Sequence, residues 1–308
     1  MVVTESGGLA EAEAPEPVPG PGQVRVAVEA IGVGYVDVMA ARGDYAYFPG
    51  PGSPLGLEVA GRVSATGPDV PGGLAGQRVL ALPEFGGFAE QVVVPVERVL
   101  PSPDNAAVEV VALGLNALVA EIALHRSGLA AGDHVLVRGA GGGIGVLATQ
   151  IAAAHGAEVT AVTSSPARGE RLRALGAARI ADRTVSPLPD GTYDVVLDTV
   201  AGADLGRHLA LLRPNGRYVL CGGAGGDPGP DAFASLLREF HRSPTFTSFS
   251  LNSVPGEELR LSWKRIAELV RETRLVPVLD ERFPLGAAAA ALAAVAGGKV
   301  FGKVLLMP

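Results

Sequence analysis

From residue 134 onward, strand and helix patterns alternate, and this alternation restricts the fold more than any other feature of the chain. HVLVRG (134–139) reads as a strand, GVLATQIAAAHG as a helix ending at Gly156, and EVTAVT (158–163) as the next strand. ARGERLRALGA is a helix closing at Gly176, YDVVLDTV (193–200) a strand, ADLGRHLALL a helix and RYVLCGG (217–223) a strand. Crossovers between parallel strands are right-handed, so repeated βα units wind helices onto both faces of one parallel sheet. The first strand runs straight into Ala140-Gly141-Gly142-Gly143-Ile144-Gly145 and then a helix, reading AxGxxG with Ala at the first position. Glycine lets the backbone turn tightly and approach a pyrophosphate, whose charge then lies at a helix N terminus. With a strand before it, a helix after it and a second strand about twenty residues on, the loop points to dinucleotide binding.

The flanking regions read differently. QVRVAVEAIGVG from Gln23 alternates apolar and polar residues after a Pro21-Gly22 turn. EVAGRVSATG from Glu58, QRVLALP from Gln77 and FAEQVVVP from Phe88 follow as short strands punctuated by Gly and Pro. These describe a small barrel-like β domain. A helical stretch begins past Asn105, and a late amphipathic helix, EELRLSWKRIAELVRET, places Leu259, Ile266, Leu269 and Val270 near one face. LVPVLDERFPL and GKVLLMP then return to short strands. The organisation expected is α/β: a β domain of residues 1–111 and 276–308, interrupted by a doubly wound parallel-sheet domain of residues 112–275.

Composition excludes several classes. The 308 residues carry 25 basic against 32 acidic side chains, a net charge of −7, which argues against a broad nucleic-acid footprint. A lone Cys221 excludes an internal disulfide framework, a four-thiolate zinc site and a catalytic zinc relying on paired thiolates. The five histidines fall in separate elements without ligand spacing, so no metal site is expected. The opening segment is acidic and lacks the basic flank and apolar core of a signal peptide, which points to the cytoplasm. The uncharged run from Gly139 to Ala157 opens with a glycine cluster and contains Gln150 and His155, so it reads as a turn and a buried helix and not as a membrane span.

Which dinucleotide binds depends on the end of the second strand, where an NAD site usually carries an acidic residue for the ribose 2′-hydroxyl. Here Thr163-Ser164-Ser165 stands instead, followed by Arg168 and Arg171. Hydroxyls and guanidinium groups suit a 2′-phosphate. The same residues also read as a serine N cap and a solvated helix face.

Taken together, PGPGQVRVAVEAIGVGYVDVMAARGDY, LGLEVAGRV, GQRVLALPEFGGFAEQVVVPVERVLPSP, LHRSGLAAGDHVLVRGAGGGIGVLATQIAAAHGAEV, YDVVLDTVAG and GKVLLMP resemble the zinc-free medium-chain dehydrogenase/reductase superfamily. The resemblance is to its quinone oxidoreductase branch, which includes zeta-crystallin and the enoyl reductase domains of polyketide synthases, and it covers essentially the whole chain. It implies a GroES-like β domain, a Rossmann domain, NADPH in the cleft between them, and usually a homodimer or tetramer. Ala140, Gly142, Gly143 and Ile144 match the pyrophosphate loop. Ser164 and Arg168, beside Thr163, match the residues that hold the adenosine phosphate, and Arg183 replaces a family Tyr there. Val200 and the Cys221-Gly222-Gly223 turn match strand ends beneath the nicotinamide ribose, and Lys303 matches a residue near the nicotinamide end.

Two departures surround the chemistry. GVNYxD appears as Gly32-Val33-Gly34-Tyr35-Val36-Asp37, and LTAY as Leu118-Val119-Ala120-Glu121, so an amide and a hydroxyl are missing. Asn116 remains as a polar contact. Tyr35 is the candidate proton donor, its other reading being a Tyr packed on the β domain. Asp37 and Glu58 are expected to orient backbone. The resemblance implies an NADPH-dependent reductase of quinones or α,β-unsaturated carbonyls, with an enoyl-thioester reductase or a catalytically weak NADPH-binding redox sensor as alternatives. TFTSFSL (245–251) alternates as an edge strand would, which points to a homodimer.

Overall fold

The alternating run that begins at Gln23 becomes the spine of the first of two units. The computed structural model describes residues 1–103, 108–182, 188, 192–230 and 232–308. Residues 1–115 with 277–308 form one unit and residues 116–276 the other.

The first unit opens with β1 (Val2–Val3) and β2 (Leu9–Ala10), a small antiparallel pair. β3 (Gln23–Val33) then buries Val24, Val26 and Val28 on one side of its pleat, the period-2 pattern of a half-buried strand. It is followed by α1 (Tyr35–Arg42), β4 (Val59–Thr66), β5 (Arg78–Ala81), β6 (Gln91–Pro95) and β7 (Val99–Pro101). Along one edge β3 pairs β4. Along the other its first half pairs β6, with Val26 opposite Val92, and its last residues pair a strand from the chain's C-terminal end. One long strand thus serves three partners, which curls the sheet around the core. α1 escaped sequence reading because it is a single eight-residue helix directly after a strand; Gly34 is its N cap and Gly43, at φ 80°, closes it.

The second unit takes in α2 (Gly114–Arg126) from Asn116 onward, then β8 (His134–Arg138), α3 (Gly143–Ala154), β9 (Glu158–Thr163), α4 (Pro166–Ala174), β10 (Arg179–Asp182) and β11 (Tyr193–Asp198). These are followed by α5 (Leu205–Leu209), β12 (Leu212–Leu220), α6 (Ala234–Arg238), β13 (Thr245–Ser248) and α7 (Gly256–Arg271). All six strands are parallel in the order β10-β9-β8-β11-β12-β13, so the direction of winding reverses between β8 and β11. That reversal is the topological switch point at which such sheets bind ligands. β10 was not anticipated, since RIAD offers only two apolar residues, and β12 starts five residues before the expected strand at Arg217. The chain then rejoins the first unit through β14 (Leu279–Pro284), α8 (Ala288–Ala296) and β15 (Lys303–Met307), the strand that completes the edge of β3.

α2 and α7 are joined by two bidentate ion pairs of opposite sense. Arg265 on α7 donates to both Glu121 oxygens at 2.5 and 2.8 Å, and Arg126 on α2 donates to both Glu258 oxygens at 2.8 and 2.6 Å. Glu121, at 2% exposure, is therefore a helix-packing residue with a partner 144 positions away. Removing the partner of a buried carboxylate leaves a charge without solvation, whereas replacing both members with apolar groups is close to neutral. We expect Arg265→Ala to lower stability by about 1–3 kcal/mol, because the Arg head is partly exposed, and Arg265→Leu combined with Glu121→Leu to regain most of it. Urea-unfolding midpoints of the two variants measure this.

Candidate functional site

The glycine loop sits at the end of β8. Gly139 has φ 69°, and a side chain there would overlap Thr199 Oγ1 and come within 3.0 Å of Val200 Cγ2. A side chain at Gly145 would collide with the Gly139 carbonyl oxygen and stand 2.6 Å from Ala140 Cα. The first turn of α3 can therefore lie directly on the strand end only with glycine at these two positions. Ala140 is fully buried beneath the loop, Gly142 is exposed, and Gly143 and Ile144 are half-buried. Gly142 caps α3 in an extended conformation and has no side chain with which to bond the first-turn amides. Those N–H groups, at the positive end of the helix dipole, fit a pyrophosphate.

At the end of β9, Thr163 is buried and its Oγ1 accepts the Ser165 N–H at 3.2 Å. Ser165 is the N cap of α4, accepting the Arg168 N–H at 3.4 Å with Pro166 following. The capping role thus falls to Ser165, leaving Ser164 exposed beside the half-buried Arg168. Arg183 lies outside the described residues.

The end of β11 is organised by Asp198, which has no exposed surface. Its Oδ1 accepts the Val200 and Ala201 N–H groups at 2.7 and 3.1 Å. Its Oδ2 accepts Arg138 Nη1 at 2.7 Å and the Tyr218 hydroxyl. Arg138 also donates to the Ala201 carbonyl at 3.2 Å and to Asp204 at 2.7 Å. These bonds fix the turn carrying Thr199 and Val200, and Thr199 Oγ1 donates back to the Arg138 carbonyl at 3.0 Å. Sequence reading missed this network; the available signal was a charge terminating each of two apolar strands, HVLVR and YDVVLD. Cys221 donates its N–H to the Asp198 carbonyl at 2.8 Å. Burial, with the Asp198 charge, pushes its thiol far up, so it is a strand-end residue without thiolate chemistry. A side chain at Gly222 would lie 2.6 Å from the Thr199 carbonyl oxygen, and Gly223 is exposed. Asn116 is half-buried in the first turn of α2.

The first unit holds a separate charged cluster. Asp37, Glu58 and Lys303 are all buried. Asp37 accepts the N–H groups of Gly34 at 2.8 Å and Gly56 at 3.0 Å, and Glu58 accepts the Leu115 N–H at 2.7 Å. Both carboxylates thus orient backbone, while Glu58 Oε1 additionally receives Lys303 Nζ. Tyr35, the first residue of α1, is half-buried against the β-unit core. Among the described residues no group of three or more His, Cys, Asp or Glu side chains is arranged to hold a metal ion.

Comparison with known proteins places this geometry. The family model for the alcohol dehydrogenase GroES-like domain matches residues 20–104, and the one for zinc-binding dehydrogenase matches residues 175–306. The quinone oxidoreductase from Thermus thermophilus, solved also in complex with NADPH, is 31% identical with a TM-score of 0.87, over 100% of this chain and 99% of that one. The chain belongs to the quinone oxidoreductase branch of the medium-chain dehydrogenase/reductase superfamily. The CurK enoyl reductase is 26% identical with a TM-score of 0.83, covering 96% of this chain and 94% of that one. The spectinabilin polyketide synthase system protein NorB of Streptomyces orinoci is 35% identical over 91% of this chain, which spans 13% of that protein's length.

Within this quinone oxidoreductase fold, the Asp37 carboxyl carries a testable electrostatic signature. Burial pushes it up to about 6, against the pull of the Gly34 and Gly56 amides and of Lys303. Its folded value lies above its unfolded one, so the folded state binds the proton more tightly. Stability contributed by the protonated form at low pH is lost as pH rises through about 6. Asp37→Asn should therefore gain on the parent protein between about pH 4.5 and about pH 7.5. Urea midpoints at the two pH values measure this, and a constant gap would mean that Asp37 is ionised throughout.

Proposed function

We propose that the protein is an NADPH-dependent reductase that adds hydride to a quinone or an α,β-unsaturated carbonyl without a metal. The observation that carries this reading is the cradle at the N terminus of α3, where Gly142, Gly143 and Ile144 present amides beside a strand end that tolerates no side chain at Gly139. The NADPH complex of the Thermus relative supports the choice of cofactor. When bound, NADPH supplies the hydride. The chain's own residues hold and orient it. The α3 amides take the pyrophosphate, and Ser164 and Arg168, with Arg183, take the 2′-phosphate. The Asp198 network fixes Val200 and the Cys221-Gly222-Gly223 turn for the nicotinamide ribose. Negative charge grows on the acceptor's oxygen as hydride arrives, and the Tyr35 hydroxyl or water supplies the proton that completes reduction. A single cysteine and five scattered histidines support metal independence, and the same cysteine usage fits the cytoplasm.

The likeness to the CurK enoyl reductase and to NorB favours a second reading, reduction of an enoyl thioester. NADPH oxidation with a panel of quinones, enones, 2-enals and enoyl thioesters, with and without chelator, separates the two. Quinone or enone turnover that survives chelation is expected. Turnover of thioesters alone selects the second reading, and NADPH binding with no turnover of any acceptor selects a redox sensor.

The second strand of the Rossmann unit ends without a carboxylate, so NADPH should bind better than NADH. One charge-assisted hydrogen bond corresponds to about tenfold or more, which sets a preference between about tenfold and a few hundredfold that shrinks with added salt. Arg168→Ala and Arg183→Ala should raise the Kd for NADPH and leave that for NADH nearly unchanged, as followed by cofactor fluorescence. Equal affinity of the parent for both cofactors would contradict the assignment.

We further propose a homodimer through β13. The strand stands last in its sheet and spans 245–248, with Thr245, Thr247 and Ser248 exposed. It ends earlier than the pattern TFTSFSL implied, because Phe249 is buried with the Arg126 guanidinium 5.4 Å from its ring centroid. The preceding segment exposes Leu237 at 77% and Phe240 at 73%, an apolar patch beside an edge that no further strand covers among the described residues. Light scattering should give a dimer for the parent and a monomer for Leu237→Glu with Phe240→Glu; a concentration-independent parent monomer would rule the proposal out.

A further inference from the structure

Backbone amides bind a phosphate well only if the loop presenting them already has its shape, because ordering the loop on binding detracts from affinity. In the second unit the glycine loop is held from outside itself. Within the loop, Gly142 donates its N–H to the Gly139 carbonyl at 2.9 Å. The Arg138–Gly139 peptide from which the loop springs is gripped twice by the turn after β11. The Arg138 guanidinium donates to Asp198, Asp204 and the Ala201 carbonyl, while the Arg138 carbonyl accepts Thr199 Oγ1 at 3.0 Å.

Thr199 occupies space that a glycine leaves on each side of it. A Cβ at Gly139, which has φ 69°, would overlap the Thr199 Oγ1, and a Cβ at Gly222 would stand 2.6 Å from the Thr199 carbonyl oxygen and 3.1 Å from its Cα. That carbonyl accepts the Ala224 N–H at 3.4 Å, and the Val200 carbonyl beside it accepts the Gly225 N–H at 2.7 Å. Thr199 therefore meets the segments that follow β8 and β12, one through its hydroxyl and the other through its carbonyl. The turn it opens is also strained. Ala201 has φ 56°, in the left-handed region that an L-residue adopts at a cost. It stays there because Asp198 accepts its N–H at 3.1 Å and Arg138 donates to its carbonyl at 3.2 Å. Such strain persists where the surroundings over-determine it, and it collects at turns that clamp ligands.

Resting on the NADPH reading of the α3 cradle, we propose that Thr199 is a positioning residue for the cofactor's pyrophosphate. Its hydroxyl fixes the Arg138 carbonyl, and with it the direction in which the amides of Gly142, Gly143 and Ile144 face, so that the cradle is formed before the cofactor arrives. It acts through the loop and not by touching phosphate. Threonine suits the task because its branched Cβ limits χ1 and keeps the hydroxyl on the carbonyl.

The test compares Thr199→Val, which keeps the shape and removes the donor, with Thr199→Ser, which keeps the donor. Three ligands are titrated well below the melting temperature of each protein, NADPH by its fluorescence and the others by competition. The second, 2′-phospho-ADP-ribose, has the pyrophosphate without nicotinamide, and the third, adenosine 2′-monophosphate, has neither. Thr199→Val is expected to raise the Kd for the first two about tenfold, the loss of one well-placed hydrogen bond and of the order it imposes. Its Kd for adenosine 2′-monophosphate should stay within about twofold of the parent's, and Thr199→Ser should stay within about twofold for all three. A hydroxyl that merely supports the fold would lower the melting temperature without separating the ligands in this way. Unchanged NADPH affinity in Thr199→Val, equal losses for all three ligands, or a Thr199→Ser protein that binds as weakly as Thr199→Val would overturn the proposal. Equal affinity of the parent for 2′-phospho-ADP-ribose and adenosine 2′-monophosphate would instead overturn the cradle reading, and the role of Thr199 with it.

Discussion

A carboxylate sealed from water at the switch point of a parallel sheet governs the arrangement of the Rossmann unit. Asp198 ends β11 directly opposite Arg138, which ends β8, and these are the strands between which the winding reverses. Burying either charge alone is prohibitive, so each strand can end where it does only because the other ends beside it. The carboxylate then has one oxygen left for backbone amides and uses it on the turn at Val200 and Ala201. Arg138 reaches the far end of that turn through Asp204, and Tyr218 closes the remaining side from β12. Three neighbouring strands are thus joined by side chains at the edge where a cofactor has to lie, which holds the glycine loop and the turn facing it at fixed separation.

The first unit uses the same physics for a different end. Glu58 and Asp37 are buried carboxylates whose oxygens accept backbone N–H groups, and each fixes a chain segment that is not in regular pairing. The difference lies in the cation. Arg138 spreads its donors over Asp198, Asp204 and the Ala201 carbonyl, a satisfied and therefore structural group. Lys303 is held at one point only among the described residues. Arginine suits the first arrangement because its planar fork meets several acceptors at once; lysine suits the second because its compact point charge needs only one carboxylate oxygen to hold it.

Much of this was legible in the sequence, for definite reasons. The parallel strands β8 and β9 are buried at every residue but the first and read as short runs rich in valine and other β-branched residues, and the glycine loop is forced by contacts that admit no side chain. β3 was legible because one face is buried and the other is not. What escaped was local structure too short to carry a period, α1 and β10, and every interaction between distant residues. Glu121 illustrates the limit. In the LTAY motif that the sequence resembles, its place belongs to a Tyr, whereas the fold gives it an ionic partner on α7 that no spacing rule could have supplied. Ser165 and Ser164 show a finer version: both suit an N cap, and only the geometry at Pro166 decides which of them is left facing solvent.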